Sequence, residues 1–171
     1  MLSFEELFAQ QKQALFGLIY KALGNREQAE DLVMQVFLKA YKGYSQFQRN
    51  SAASSWLYRI AINTLRDHLR WKSRQKRWGE FFTGAEDSLE ATVADPMPCS
   101  GELLEQEELR ERVRRAVQGL PDIYREVVWL VSFQDLSYED AASALEISVE
   151  SIGVRLNRAK GLLRKSLETE L

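Results

Sequence analysis

Arginines, aromatic rings and an amide recur through Trp56, Tyr58, Arg59, Asn63, Arg66, Asp67, Arg70, Trp71, Lys72 and Arg74. Guanidiniums hold phosphates, rings stack on unpaired bases, and an asparagine offers a paired donor and acceptor to a base edge. The basic charge is sorted along the chain. Arg66 to Arg77 holds six Lys/Arg and one acid, Asp67, and Arg155 to Lys165 holds five Lys/Arg and no acid. Between them, Gly79 to Gly101 holds five acids and no base. Two positive stretches on either side of a negative tether are the footprint of a protein that grips nucleic acid at two places. Phe47, in a polar stretch ahead of the first basic segment, is placed where a flipped base could be held, and flipping costs a few kcal/mol that stacking must offset. The other reading of Phe47 and Trp56 is that they are core residues, and of the basic run that it is a solvated helix end.

Covalent and metal chemistry has little to draw on. His68 and Cys99 are the one histidine and the one cysteine, too few for a zinc site without several carboxylates. No glycine-rich phosphate loop is present. Catalysis, a metal and a cofactor are therefore not expected. A single cysteine allows no internal disulfide and suits a reducing compartment. The N-terminal segment carries Glu5 and Glu6 instead of a basic-then-apolar leader, and no apolar run approaches the ~18 residues of a membrane span. A cytoplasmic protein is expected. The net charge of −2 over 171 residues does not itself suggest nucleic acid; the sorting does.

The elements that must position these residues read as helices throughout, an all-α chain of two small domains. Ser3-Phe4-Glu5-Glu6 has the form of a capping box and opens a helix towards Leu23, where Gly24-Asn25 ends it. Ala29, Leu32, Val33, Val36, Phe37, Ala40, Tyr41 and Tyr44 follow the i, i+3, i+4, i+7 rule and predict a second helix with that inner face. A third is expected from near Ser55 past Arg70, with Leu57, Ile60, Ala61 and Leu65 inward. The expected boundaries are 1–78 for the first domain, 79–101 for a flexible acidic linker and 102–171 for the second domain. The linker is assigned from its Gly and Pro content and its length, ~20 residues, too long for a tight connection. In the second domain a helix with early acids and late arginines suits the helix dipole. It should break at Gly119-Leu120-Pro121, followed by a helix from about Asp122 to Phe133.

Ser137-Tyr138-Glu139-Asp140 opens a short helix with Ser137 as N-cap and Ala141, Ala142 and Leu145 as its inner face. Glu146-Ile147-Ser148 forms a turn, and Ser148 can cap the next helix, which buries Ile152, Leu156, Ala159 and Leu163. At 100° per residue, Ser151, Val154, Arg155 and Arg158 then share its free side. A short helix, a tight turn and a second helix with basic and hydroxyl residues outward is a helix-turn-helix that would enter a major groove. Two packed helices with solvated arginines would have the same spacing. Two further classes remain open at this level: a dimeric operator-binding regulator and a helical adaptor that binds only proteins.

Ala29-Glu30-Asp31-Leu32-Val33 through Val36-Phe37-Leu38-Lys39-Ala40-Tyr41 resembles region 2 of bacterial sigma factors, where the RNA polymerase clamp docks. Trp56-Leu57-Tyr58-Arg59-Ile60-Ala61, Asn63 and Asp67-His68-Leu69-Arg70 resemble the adjoining promoter-melting segment. Leu120-Pro121, Tyr124-Arg125-Glu126-Val127, Leu136 to Ala142, Val149 and Arg155 to Lys160 resemble region 4. Both regions in this order resemble the extracytoplasmic-function (ECF) sigma factors. The resemblance implies that Asp31, Met34, Gln35 and Leu38 bind core polymerase. It implies that Phe47, Trp56, Arg59, Asn63, Arg66 and Arg70 bind the single-stranded −10 element, and that Ser151, Val154, Arg155 and Arg158 read the duplex −35 element. It also implies an anti-sigma partner, often a membrane protein in the family, and a linker lying in the RNA exit path. Four positions depart from the family's pattern: Met34 for Gln, Gln35 for Glu, Ile62 for Arg, removing one phosphate contact, and Gly153 for Lys or Arg.

Overall fold

The computed structural model describes residues 3–45, 47, 53–83 and 101–169, with backbone alone for 78–83, 101–103 and 169. Helix α1 spans Phe4–Leu23. The Ser3 hydroxyl accepts from the Glu6 N–H (3.2 Å) while Glu6 accepts from the Ser3 N–H (2.7 Å), the reciprocal capping box. Gly24 ends the helix at φ 70°, and its N–H donates to the Tyr20 carbonyl. The left-handed φ is what calls for glycine there; a Cβ would also lie 2.5 Å from the Arg114 guanidinium, a flexible side-chain end that would have to shift. Asn25 then caps α2, Arg26–Tyr44, by accepting from the Gln28 N–H at 2.9 Å.

Helix α3 runs Ala53–Thr83, 31 residues or roughly 46 Å. It passes straight through Gly79, so the expected linker boundary falls inside a helix. The Lys, Arg and Gln of residues 70–77 favour helix, and one interior glycine costs only about 1 kcal/mol. Of the expected linker, residues 84–100 lie outside the described residues, with Glu86, Asp87, Glu90, Asp95 and Cys99 among them. Helices α1 to α3 bury Leu15, Leu18 and Ile19 against Ala29, Leu32 and Val36, and against Leu57, Ala61 and Leu65. An aromatic group closes one end, where Phe4 meets Phe37 (5.2 Å between ring centroids) and Tyr44 (5.2 Å).

Helix α4 spans Gly101–Gln118, and α5, Asp122–Val127, continues as a π-helical turn over Val128–Phe133. Thus the helix expected to Phe133 forms, with its last turns widened. Helices α6, Tyr138–Leu145, and α7, Val149–Thr169, follow. Trp129, Leu130, Ala141, Ile152 and Ala159 are fully buried. The buried apolar side chains of α1–α3 and of α4–α7 belong to one continuous core. Polar bonds stitch the same seam. The orphan carbonyls at the end of α1 (Lys21 and Ala22) accept from Arg114 at 3.2 Å and Gln118 at 2.8 Å, which satisfies a helix terminus from the other half of the chain. In return the Lys21 ammonium donates to the Phe133 carbonyl at 2.6 Å. Among the described residues, no helix is long and apolar enough to cross a membrane.

Candidate nucleic-acid interface

The helix-turn-helix forms as the capping residues require. Ser137 accepts from the Asp140 N–H at 3.0 Å, and its hydroxyl donates to the Asp140 carboxylate at 2.9 Å. The turn is made by Glu146 in the left-handed region (φ 56°), and the Ile147 N–H donates back to the Ala142 carbonyl at 3.1 Å. Ser148 then caps α7 by accepting from the Ser151 N–H at 3.2 Å. With Ile152, Leu156 and Ala159 buried, the opposite side of α7 carries Val154 and Arg158 exposed and Ser151 and Arg155 half-buried. The four residues expected on one face are therefore brought together. Gly153 is not a site of steric need: a Cβ there would meet the Tyr138 ring at 3.7 Å, an ordinary contact.

On α2, Asp31, Met34, Gln35 and Leu38 are all exposed, as their spacing requires. Met34 and Leu38 are 59% and 50% exposed, a large apolar surface for two neighbouring side chains on an otherwise well-packed bundle. Tyr41 corrects the sequence reading. Expected on the inner face, it is 61% exposed, one turn beyond Leu38, and extends the stripe. Periodicity alone could not place it, because Phe37 already fills the inner position beneath Phe4 and Phe8. Beside the stripe, a cleft of about 390 Å³ lies between α2 and α3, lined among others by Asp31, Gln35, Asp67, His68 and Trp71. Burial, with a smaller push from Lys72, holds His68 below its ordinary pKa, so the imidazole in this cleft is neutral at pH 7.

The residues expected to bind the −10 element separate into two groups. Phe47 and Trp56 are half-buried with ring centroids 4.9 Å apart, so each supports the other and both keep an accessible face. Asn63 is exposed. Arg59, Arg66 and Arg70 instead face α5 and α6. Arg66 Nε donates to Glu126 at 2.5 Å, and Arg70 donates to Asp122 through Nη2 (2.7 Å) and Nε (3.1 Å). Arg59 Nη1 donates to Glu146 at 2.6 Å, and its other nitrogens reach the Ser143 carbonyl at 2.9 Å and the Ala144 carbonyl at 3.3 Å. The carboxylate of Glu126, bonded to Arg66, pushes that guanidinium further towards its charged form. Ile62 lies on the same α3 face and is 1% exposed. In this chain the position is a packing position, and its departure from arginine fills the core instead of merely losing a phosphate contact. Helix α6 reflects the same packing: Ala144, on the side turned to α3, is 1% exposed, although only Ala141, Ala142 and Leu145 were expected inward.

The chain is similar to known proteins over most of its length. Residues 7–75 match the family described as Sigma-70 region 2, and residues 110–163 match Sigma-70, region 4. The chain is 30% identical to the RNA polymerase sigma-H factor of Pseudomonas aeruginosa, over 97% of this chain and 86% of that one. It is 32% identical to the ECF RNA polymerase sigma factor SigW of Bacillus subtilis, over 91% of this chain and 84% of that one. Among solved structures, CnrH in complex with the cytosolic domain of CnrY is similar with a TM-score of 0.67 at 21% identity, covering 98% of this chain and 89% of that one. The sigma factor RpoE of Bartonella quintana, in complex with the anti-sigma factor NepR, is similar with a TM-score of 0.65 at 21% identity, covering 98% of both chains.

Proposed function

Because the chain belongs to the ECF family of RNA polymerase sigma factors, it directs promoter-specific transcription initiation, and we propose that it does so through three surfaces. The α2 stripe of Asp31, Met34, Gln35 and Leu38, with Tyr41 added, docks on core RNA polymerase. Phe47, Trp56, Arg59, Asn63, Arg66 and Arg70 hold the melted −10 strand, the rings by stacking and the arginines by phosphate contact. Ser151, Val154, Arg155 and Arg158 read the −35 duplex from the major groove. With α3 running to Thr83 and α4 starting at Gly101, the acidic linker is taken as 84–100 in place of 79–101, and one promoter element is assigned to the domain on each side of it. We further propose a cytoplasmic protein without catalytic activity of its own, held in check by an anti-sigma factor of the kind bound by its structural neighbours.

The observation that carries the polymerase assignment is the exposed pair Met34 and Leu38 beside Asp31 and Gln35. An apolar ridge flanked by polar groups is what a protein partner covers. The test is co-elution of the purified chain with core polymerase on a sizing column. The wild-type chain should co-elute, and the variant combining Asp31→Lys with Leu38→Ala should not. A folded wild-type chain that elutes apart from core polymerase contradicts the assignment.

A further inference from the structure

The basic run of α3 continues past the point where the helix leaves the bundle. Leu69 is the last described side chain of α3 packed against the core, and each of residues 70–77 is exposed. Those residues are Arg70-Trp71-Lys72-Ser73-Arg74-Gln75-Lys76-Arg77, five basic and none acidic. Arg66, Arg70, Arg74 and Arg77 follow the i, i+4, i+8, i+11 spacing of one helix face. The stripe has two parts. Arg66 and Arg70 meet Glu126 and Asp122 of α5. Arg74 and Arg77 lie further along, and their Nε atoms donate only to carbonyls of their own helix, those of Arg70 and Ser73, at 3.4 Å each. Among the described residues neither has a carboxylate partner. Arg70 and Arg74 stand at i, i+4 and Arg74 and Arg77 at i, i+3, where like charges cost a helix a few tenths of a kcal/mol. The arm thus concentrates positive charge against its own helical stability, and a polyanion lying along the face relieves the repulsion. Trp71 turns to the cleft beside His68, with ring centroids 6.1 Å apart. The face of Arg74 and Arg77 is left with charge and no ring to stack on an unpaired base.

We propose that Arg74 and Arg77 form a second DNA site on α3, which grips backbone phosphates of the double-stranded DNA joining the two promoter elements. The site rests on the sigma-factor reading above. Charge without rings suits a duplex, whose bases are already stacked and whose phosphates are the accessible groups. Trp56, assigned to the melted strand, and Arg77 are 21 residue steps apart on one continuous helix. That is roughly 32 Å, or about nine base pairs at ~3.4 Å each, so the arm reaches past the melted element. The chain continues from this end of α3 to the second domain, whose α7 is assigned to the −35 duplex. The DNA that passes this end is therefore the stretch between the elements. Arg77 also lies past residue 75, where the match to Sigma-70 region 2 ends. A phosphate contact carries no base information; it adds affinity and fixes the position of the first domain on the duplex.

The test uses the full-length chain with core polymerase on a promoter fragment recovered by transcription of genomic DNA. The arm variant carries Arg74→Gln and Arg77→Gln, since glutamine keeps the helix. A control with Lys12→Gln and Arg110→Gln makes the same change in net charge at exposed positions of α1 and α4. The arm variant should bind the fragment about tenfold more weakly than wild type, and log affinity should fall less steeply with log salt by about 1.8, near 0.9 for each lost phosphate contact. The control should keep the wild-type slope, as should Arg74→Lys with Arg77→Lys, which retains both charges. Hydroxyl-radical cleavage locates the contact: wild type should protect backbone positions between the two sequence blocks that the arm variant leaves open, with the RNA 5′ end unchanged. An arm variant that co-elutes with core polymerase yet keeps the wild-type slope and protection, or a control that loses as much, overturns the site alone. A folded wild-type chain that does not co-elute with core polymerase overturns the sigma-factor reading and the site with it.

Discussion

Helices α3 and α7 carry arginine at similar density and face opposite situations. On α3, Arg59, Arg66 and Arg70 each meet a carboxylate of the other half of the chain. On α7, among the described residues, neither Arg155 nor Arg158 has a carboxylate partner. The difference teaches that a basic stripe is defined by what can reach it. In α3 the stripe is interrupted by an apolar residue and matched by acids at the same spacing on a neighbouring helix. In α7, among the described residues, Arg155 and Arg158 pair with no acid, and the apolar side of the helix is spent on the core through Ile152, Leu156 and Ala159. One helix uses these arginines in ion pairs within the protein, and the other, among the described residues, does not.

Truncation of one arginine on each helix breaks the comparison most sharply. Arg66→Ala strands Glu126, whose side chain is 7% exposed, with its charge buried; chemical denaturation should report a loss of about 3 kcal/mol. Arg158→Ala removes an exposed side chain and should change stability by no more than about 0.5 kcal/mol. Equal effects at the two positions would erase the distinction. On DNA the order reverses for duplex. Arg158→Ala should weaken binding to a −35 duplex by about 1–3 kcal/mol if it reads a base. If it holds only a phosphate, the salt slope should fall by about 0.9 instead. Fluorescence anisotropy on matched and mismatched duplexes distinguishes the two.

The smallest effect concerns the far side of α3. Burial and Lys72 hold His68 below its ordinary value of 6.5, so the unfolded chain takes up a proton before the folded one does. The contribution is fully present above about pH 6.5 and is lost as pH falls towards the lowered folded value. Denaturation midpoints at about pH 7.5 and about pH 5.5 should therefore differ less in His68→Gln than in wild type. An identical difference in both proteins would remove His68 from the account.

Caps and inner faces were legible because they depend on neighbours in sequence. Ser3, Gly24, Ser137 and Ser148 act where local chemistry puts them, and the α7 face follows from helical spacing alone. The sequence was less informative wherever a distant element decides. Tyr41 satisfies the inner periodicity of α2, yet Phe4, Phe8 and Phe37 fill that space and leave it outside. Ala144 is buried because α3 lies across α6, which no local pattern records. The ladder of Arg66 and Arg70 with Glu126 and Asp122 had a trace, two i, i+4 pairs of opposite sign. Nothing in either segment says that they meet. The extension of α3 through Gly79 was missed for a different reason: Gly79 was counted among the linker's glycines, although one interior glycine costs only about 1 kcal/mol against a long run of helix-forming residues.

Transcription in vitro from fragmented genomic DNA of the source bacterium, with core polymerase alone and with this chain added, tests the central claim most directly. The account predicts a discrete set of new RNA 5′ ends whose upstream DNA shares two sequence blocks, and their loss with the Asp31→Lys, Leu38→Ala variant. Active core polymerase that gives the same 5′ ends with and without the folded chain would contradict it.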